Sequence, residues 1–473
     1  MKLTLFVPEL ILLLGALVLL LMSAGKTSSR SARTLTLCLA VASLVASAAS
    51  LGHEGLMFFA AYKVDLFSQA LKLAMAAGFA AVLVLGGELK GVSEDVRPEY
   101  YLFLTLGVLG LFMLVSSVEL VTMFIALELS SYSLYLLVPM RDDHEGLRMQ
   151  MESAVKYILF GVVATGIMLF GMSYMFGLTG TTYFDKLMPA LQALGGSPAA
   201  VAAVAMVLGG FFFKLAVFPF HFWVPDVYQG ASNETTAFIA SVPKVAAVAL
   251  LVRVAAMARP GEEAIVSVLT VLSVCSMFYG NLVALVQTDI KRMLGFSGIA
   301  HAGYMLLGFV ALREAGYATA LYYVTGYLLM TVAGFVVVCA VSADGRNLKI
   351  SDLGGLHRRS PLLAFTMAVS MFALAGIPPF VGFMGKFMLL AGAYKAGFVW
   401  LVVLAAINTA ISIYYYLSVV RVVYTVGAEE RPDVPVGAPV KALSVVLVAA
   451  IILLGLAPDA VVELAAMAVR SVL

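Results

Sequence analysis

Charge is scarce in this chain. Asp, Glu, Lys and Arg make up 12% of its 473 residues while 62% are hydrophobic, and the mean hydropathy is +1.03. Soluble domains run at about 25% charged and about 45–50% apolar, so a water-soluble globule is excluded and the chain reads as a polytopic membrane protein. Cysteine is nearly missing as well. The three present, Cys38, Cys275 and Cys339, fall in apolar stretches without CxxC spacing or neighbouring His and Asp clusters. They read as small buried hydrophobes rather than disulfides or metal ligands. Haem, iron–sulfur and zinc spacings are lacking, and so is a Gly-rich nucleotide loop after a strand. No cofactor or metal is therefore expected in this chain; electrons that move in its system move in other chains. The formal net charge of +2 carries no nucleic-acid signal, because the bases sit in short loops. Those loops are too short for a soluble domain. The first apolar segment, Leu3 to Met22, has no small-residue cleavage site and predicts a retained helix rather than a removed signal.

What is present is a series of apolar runs of roughly 20 residues, the length that spans a bilayer. About 14 helices are expected by that criterion, near 4–22, 33–51, 65–87, 100–117, 118–139, 153–178, 198–222, 235–257, 264–286, 292–311, 315–342, 361–394, 398–422 and 441–464. The expected fold class is an all-α polytopic membrane protein in a lipid bilayer. No strand signal competes, since only helices or closed barrels satisfy backbone groups in lipid.

Loop charges predict orientation. Lys26, Arg30 and Arg33 follow helix 1, Arg141 and Arg148 follow helix 5, and Lys291 and Arg292 follow helix 9. Arg346, Lys349, Arg358 and Arg359 follow helix 11, and Arg431 and Lys441 follow helix 13. If the helices alternate, all these lie on one side. The other loops carry scattered bases such as Lys63, Lys186, Arg259, Arg313 and Lys395. The positive-inside rule then places the basic loops in the cytoplasm and both termini outside a bacterial inner membrane.

Two spans carry breaks. Helix 7 reads Lys214-Leu-Ala-Val-Phe-Pro219, with Pro225 soon after, and helix 12 contains Ala375-Gly-Ile-Pro-Pro379 in mid-span. The run 361–394 would be roughly 50 Å long as a straight helix, far more than a bilayer needs. Proline removes backbone donors, and such breaks survive in a membrane only inside protein or beside water. Paired broken helices five spans apart point to inverted repeats. The expected organisation is one membrane domain, 1–473: helices 1–3 at 1–99, a first five-helix repeat (helices 4–8) at 100–257, a second (helices 9–13) at 258–422, and a last helix at 423–473.

Four lone ionisable residues lie near the middle of these runs: Glu128, Lys214, Lys244 and Lys386. A charge at the bilayer centre costs at least a few kcal/mol, which points to a role that needs charge there, such as proton movement. Glu128, in helix 5, is a carboxylate able to tune a buried base or merely to pair with it. Lys214 precedes the helix 7 break and would switch protonation with hydration or a carboxylate partner. Lys244 follows Pro243 in helix 8 and suits a relay. Lys386 follows the helix 12 break as the second repeat's counterpart of Lys214. His301 in helix 10 suits a bridge between relays or a packing role. Glu119 reads as an exposed boundary residue, Lys156 as a snorkelling base, and Lys72 as a charge without an evident partner. His221, Trp223 and Asp226 read mainly as cap and interface residues.

The segments Lys214-Leu-Ala-Val-Phe-Pro-Phe-His-Phe-Trp-Val-Pro-Asp-Val-Tyr228, Gln287-Thr-Asp-Ile-Lys-Arg-Met-Leu-Gly-Phe-Ser-Gly-Ile-Ala-His-Ala-Gly-Tyr304 and Ala375-Gly-Ile-Pro-Pro-Phe-Val-Gly-Phe-Met-Gly-Lys386 resemble the signatures of the proton-translocating, antiporter-like subunits of NADH–quinone oxidoreductase (respiratory complex I). The resemblance covers nearly the whole chain. A lysine at 386, where the middle complex I member and the Na⁺/H⁺ antiporter relatives usually carry glutamate, points to the subunit N branch. It implies that Glu128 tunes Lys214, that Lys244 relays, and that Lys386 is the terminal donor. It also implies partner subunits, membrane and peripheral, that hold NADH, FMN, iron–sulfur clusters and quinone. The alternative is a subunit of a multi-subunit Na⁺/H⁺ antiporter. One segment departs from the family's usual uncharged, Pro-containing start to helix 8: Ser232-Asn-Glu-Thr235, in which Glu234 reads as a helix cap.

Overall fold

The computed structural model describes residues 3–472 except 26, 88, 144–145, 147, 195–196, 256–262, 343 and 426–430. Lys26 and Arg259, used above for orientation, lie outside the described residues. In chain order the helices are α1 (Val7–Ala24), α2 (Ser29–Ala49), α3 (Leu66–Leu85), α4 (Arg97–Ser116), α5 (Leu120–Leu137), α6 (Met149–Thr179), α7 (Phe184–Ala193), α8 (Pro198–Leu215), α9 (Val224–Gly230) and α10 (Asn233–Ala255). They continue with α11 (Glu263–Ala284), α12 (Ile290–Val310), α13 (Glu314–Val341), α14 (Leu356–Arg359), α15 (Pro361–Ala375), α16 (Val381–Lys395), α17 (Val399–Thr425), α18 (Ala438–Leu456) and α19 (Asp459–Arg470). Among the described residues, 13 helices are long and apolar enough to cross a membrane. The remaining expected span, helix 12, is the pair α15 and α16, of 15 residues each.

Several starts follow from capping chemistry. Asp65 Oδ1 accepts from Ser68 N at 2.8 Å to open α3, and Asp289 Oδ1 accepts from Arg292 N at 2.9 Å to open α12, each satisfying a donor that the first turn leaves free. Glu119 opens α5 in the same way, accepting from Thr122 N at 2.7 Å. It is buried rather than exposed, because the cap folds its carboxylate back onto the helix. The buried centre is formed by α10 and α12, with α13 packed on α10, α15 and α16. The outer helices present apolar side chains such as Leu14, Val45, Val163 and Val446 outward, as expected where lipid is the solvent.

Three further expectations change. The loop between α2 and α3 holds a two-stranded antiparallel hairpin, β1 (Gly55–Met57) and β2 (Tyr62–Val64), with Leu56 paired to Lys63. It is too short for a period-two pattern to register. The last expected helix divides at Ala457-Pro458 into α18 and α19. Cys38 is exposed, Cys275 intermediate and only Cys339 buried, because α2 lies at the periphery.

The two breaks are built alike. α8 ends at Ala216, left-handed at φ +68°, and Val217 N donates to Phe212 O at 2.9 Å. α15 ends at Gly376, φ +85°, and Ile377 N donates to Phe372 O at 3.0 Å. A bond that reaches back over a left-handed residue is the Schellman way of closing a helix. The Phe218–Pro219 and Pro378–Pro379 bonds that follow are both cis.

Candidate functional site

Each break leaves main-chain carbonyls of a helix C-terminus without intrahelical donors, and each receives a lysine. Lys244, mid-way along α10, donates through Nζ to Lys214 O at 3.0 Å and lies 5.0 Å from the centre of the Trp223 ring. Lys386 of α16 donates through Nζ to Leu374 O at 3.0 Å and Ala375 O at 3.1 Å, 4.7 Å from the centre of the Tyr304 ring. Both lysines are buried. A helix C-terminus carries partial negative charge and an aromatic face attracts a cation, so these contacts offset part of the cost of burying an ammonium at each site.

The aromatic lids are themselves fixed. Trp223 Nε1 donates to Phe213 O at 3.1 Å, and its ring stacks on Tyr157 at 4.6 Å. Tyr304 donates through its hydroxyl to Ala405 O at 3.0 Å and meets Thr409 Oγ1 at 2.8 Å. Trp223 therefore belongs to the Lys244 site rather than to a cap, a role that only the folded break reveals.

Lys214 differs. It occupies the last turn of α8, is buried, and its Nζ has no hydrogen-bond partner among the described residues. Glu128, half-buried at the middle of α5, accepts instead from Thr165 Oγ1 of α6 at 3.0 Å. The structure thus has Glu128 turned to Thr165 and no Glu128–Lys214 ion pair. By its contacts Lys386 resembles Lys244 rather than Lys214: it approaches its break from the far side, as Lys244 does from a neighbouring helix.

His301 lies buried in α12 between two tyrosines, Nδ1 2.6 Å from Tyr323 Oη and Nε2 3.0 Å from Tyr416 Oη. Tyr304, the lid over Lys386, is one turn along the same helix. His221 does not cap a helix. It is buried in the first break, its ring 4.3 Å from Tyr279 and 5.4 Å from Phe218.

Asp226 of α9 accepts from Lys156 Nζ at 2.7 Å and Arg292 Nη1 at 2.8 Å, so the partly exposed Lys156 has an ion-pair partner. The clamp joins α6, α9 and α12 beside the first break. Burial opposes ionisation of Asp226, but the bonds from Lys156 and Arg292 hold its carboxyl below the usual range. Lys72 also has a partner, Glu9 of α1 at 2.6 Å, both wholly buried. Asp65 pairs with Arg253 at 3.0 Å. Glu9 and Thr165 carried no signal in the sequence, since each meets its partner only across helices.

The membrane-helix model described as NADH:quinone oxidoreductase/Mrp antiporter matches residues 117–412, a stretch that holds both breaks, all four central ionisable residues and His301. The chain belongs to this family. NADH-quinone oxidoreductase subunit N 2 of Opitutus terrae is 54% identical, over 96% of this chain and 95% of that protein. A chain of respiratory complex I from Thermus thermophilus superposes with a TM-score of 0.84 at 33% identity, covering 97% of this chain and 99% of its own length. A chain of the Mrp complex from Dietzia superposes with a TM-score of 0.87 at 20% identity, covering 99% of this chain and 97% of that one, which is a likeness of fold alone. This member of the family is a multi-pass membrane protein, and among its described residues no group of three or more His, Cys, Asp or Glu side chains could hold a metal ion.

Proposed function

We propose that this chain is the proton-translocating subunit N of an NADH–quinone oxidoreductase in a bacterial inner membrane. It assembles with other membrane and peripheral subunits, and the NADH, FMN, iron–sulfur and quinone chemistry takes place in those partners. The observation that carries the reading is the pair of lysines, Lys244 and Lys386, seated on the open carbonyls of two alike breaks. The subunit N relatives at 45–54% identity over nearly the full length support the choice of branch.

In this reading Lys214 is the switch. Its Nζ lacks the carbonyl partners that the other two lysines have, so its protonation depends on whether Glu128 turns from Thr165 toward it. A change arriving from the quinone-reducing subunits moves Glu128, Lys214 gains or loses a proton, and the proton passes to Lys244. In this reading His301 and its tyrosines bridge that lysine to Lys386, the terminal donor. The two sets of five spans around the breaks act as inverted repeats, 100–257 and 258–422, and the basic loops face the cytoplasm with both termini outside.

An Na⁺/H⁺ antiporter subunit would use the same residues with an ion gradient as driving force; the Mrp likeness favours it by fold only. The deciding experiment is the complete complex carrying Lys214→Ala in proteoliposomes. A fall in protons per electron is expected, and an unchanged ratio rejects the assignment.

A further inference from the structure

Glu234 is a carboxylate that this relay leaves unused. It stands second in α10, where Ser232 Oγ accepts from Thr235 N at 3.2 Å and the Glu234 carboxyl accepts from its own backbone N–H and from Ser232. Glu234 is 5% exposed, and its Oε2 has no hydrogen-bond partner among the described residues. The side chain lines a narrow crevice with Gly86, Gly87, Tyr100 and Tyr101. Gly86 admits it, because a Cβ there would sit 3.0 Å from Glu234 Cγ.

Titratable groups face this carboxylate from four sides: Lys291 of α12, Arg141 after α5, Tyr100 and Tyr101 of α4, and Cys339 of α13. Lys291 Nζ donates to Ala231 O at 2.8 Å, and Arg141 Nη1 to Gln229 O at 2.7 Å. Both cations are thus anchored where α9 ends and the turn to α10 begins, and they attract the carboxylate's charge. A buried carboxylate oxygen without a bond is costly, and an open oxygen is what a group that accepts and releases a proton needs. Hydroxyls stand beside it: Thr235 Oγ1 lies 2.9 Å from Ser232 Oγ and 3.3 Å from Tyr100 Oη. Lys244 is ten residues further along the same helix, about 15 Å by helical rise, so Glu234 lies between the basic-loop end of α10 and the relay.

We propose that Glu234, beside Gly86 and Tyr100, is a proton-loading carboxylate that takes up protons at the basic-loop end and passes them inward toward Lys244. The proposal rests on the reading of this chain as a proton translocator. In the first step hydronium gives its proton to the carboxylate and an O–H bond forms. In the second that bond breaks, the proton crosses ordered water to the neutral amine of Lys244, an ammonium forms there, and Glu234 returns to its charged state.

The test uses the complete complex carrying Glu234→Gln, Glu234→Asp or Lys244→Ala, reconstituted in proteoliposomes and read as protons per electron across pH. Glu234→Gln is expected to lose the same share of pumping as Lys244→Ala, and Glu234→Asp to pump with a displaced pH profile. Wild-type pumping in Glu234→Gln beside a loss in Lys244→Ala overturns the role of Glu234 and leaves the reading of the chain standing. Wild-type pumping in both overturns both. If the Gln variant does not assemble, Glu234→Asp decides: a displaced profile supports loading and an unchanged one rejects it.

Discussion

Lys244 donates its side-chain proton to the main-chain oxygen of Lys214, 3.0 Å away. The two lysines expected to exchange protons are therefore joined through one residue's backbone, while Lys214 Nζ has no hydrogen-bond partner among the described residues. The bond ties the end of α8 to the centre of α10.

Trp223 closes that site, and its two functions separate by substitution. Trp223→Phe keeps a ring over Lys244, loses the bond to Phe213 O, about 1 kcal/mol, and leaves the smaller cavity of the two. Trp223→Ala opens a cavity worth about 3–5 kcal/mol and removes the cation's aromatic face. Thermal inactivation of the assembled complex should show a small shift for the first and a large one for the second, with pumping lost only in the second.

Thr165 donates to Glu128, which makes no ion pair with Lys214. Thr165→Val keeps the shape and removes a hydrogen bond to a charged group, worth about 1.5–3 kcal/mol. Glu128 should then turn toward Lys214. Protons per electron and their pH dependence should change in a complex that assembles normally; if both stay as in the wild type, the Thr165 bond plays no part in the relay.

The Asp226 clamp should give an acid limb to stability. Its carboxyl is held below the ordinary value, so the unfolded chain takes up this proton at a higher pH than the folded one. The contribution is complete above the ordinary aspartate value of about 3.9 and is lost as pH falls through the lower folded value. Asp226→Asn should remove that limb and cost about 1 kcal/mol at neutral pH, the scale of partly exposed ion pairs. Thermal stability measured against pH for the two proteins checks both statements.

Glu9 and Lys72 form a dry pair at 2.6 Å, close in distance though not aligned as a hydrogen bond, and Tyr62 Oη also donates to Glu9 Oε1 at 2.6 Å. Lys72→Met should destabilise the protein by about 3–5 kcal/mol, because it strands a buried carboxylate. Adding Glu9→Gln, which still accepts from Tyr62, should recover most of that loss. Denaturation of the single and double variants measures it; equal stability of the single variant and the wild type would count against the pair as a brace.

Much of this molecule was legible in its residues. Apolar runs locate spans because lipid leaves the backbone no partner but its own helix. Pro219 and the Pro378-Pro379 pair locate the breaks because they remove donors. Glu128, Lys214, Lys244 and Lys386 stand out because charge is rare among apolar neighbours. The partners were not legible. Glu9 and Lys72 are 63 positions apart, and Lys72 read as unpaired for that reason. Glu234 looked like a cap because its place in the helix suggested one, and only burial shows its carboxylate drawn inward. Lys386 looked like the match of Lys214 because both flank a break, yet its contacts match those of Lys244.

The sequence by itself determined the solvent, the spans, the breaks and which residues bring charge into them. Only the tertiary structure decided what each charge touches. The partners of Lys244 and Lys386 are main-chain carbonyls and aromatic faces, and that of Glu128 is a threonine on a neighbouring helix. Every residue carries a carbonyl, so no pattern of side chains can say which one a break leaves open beside a given lysine.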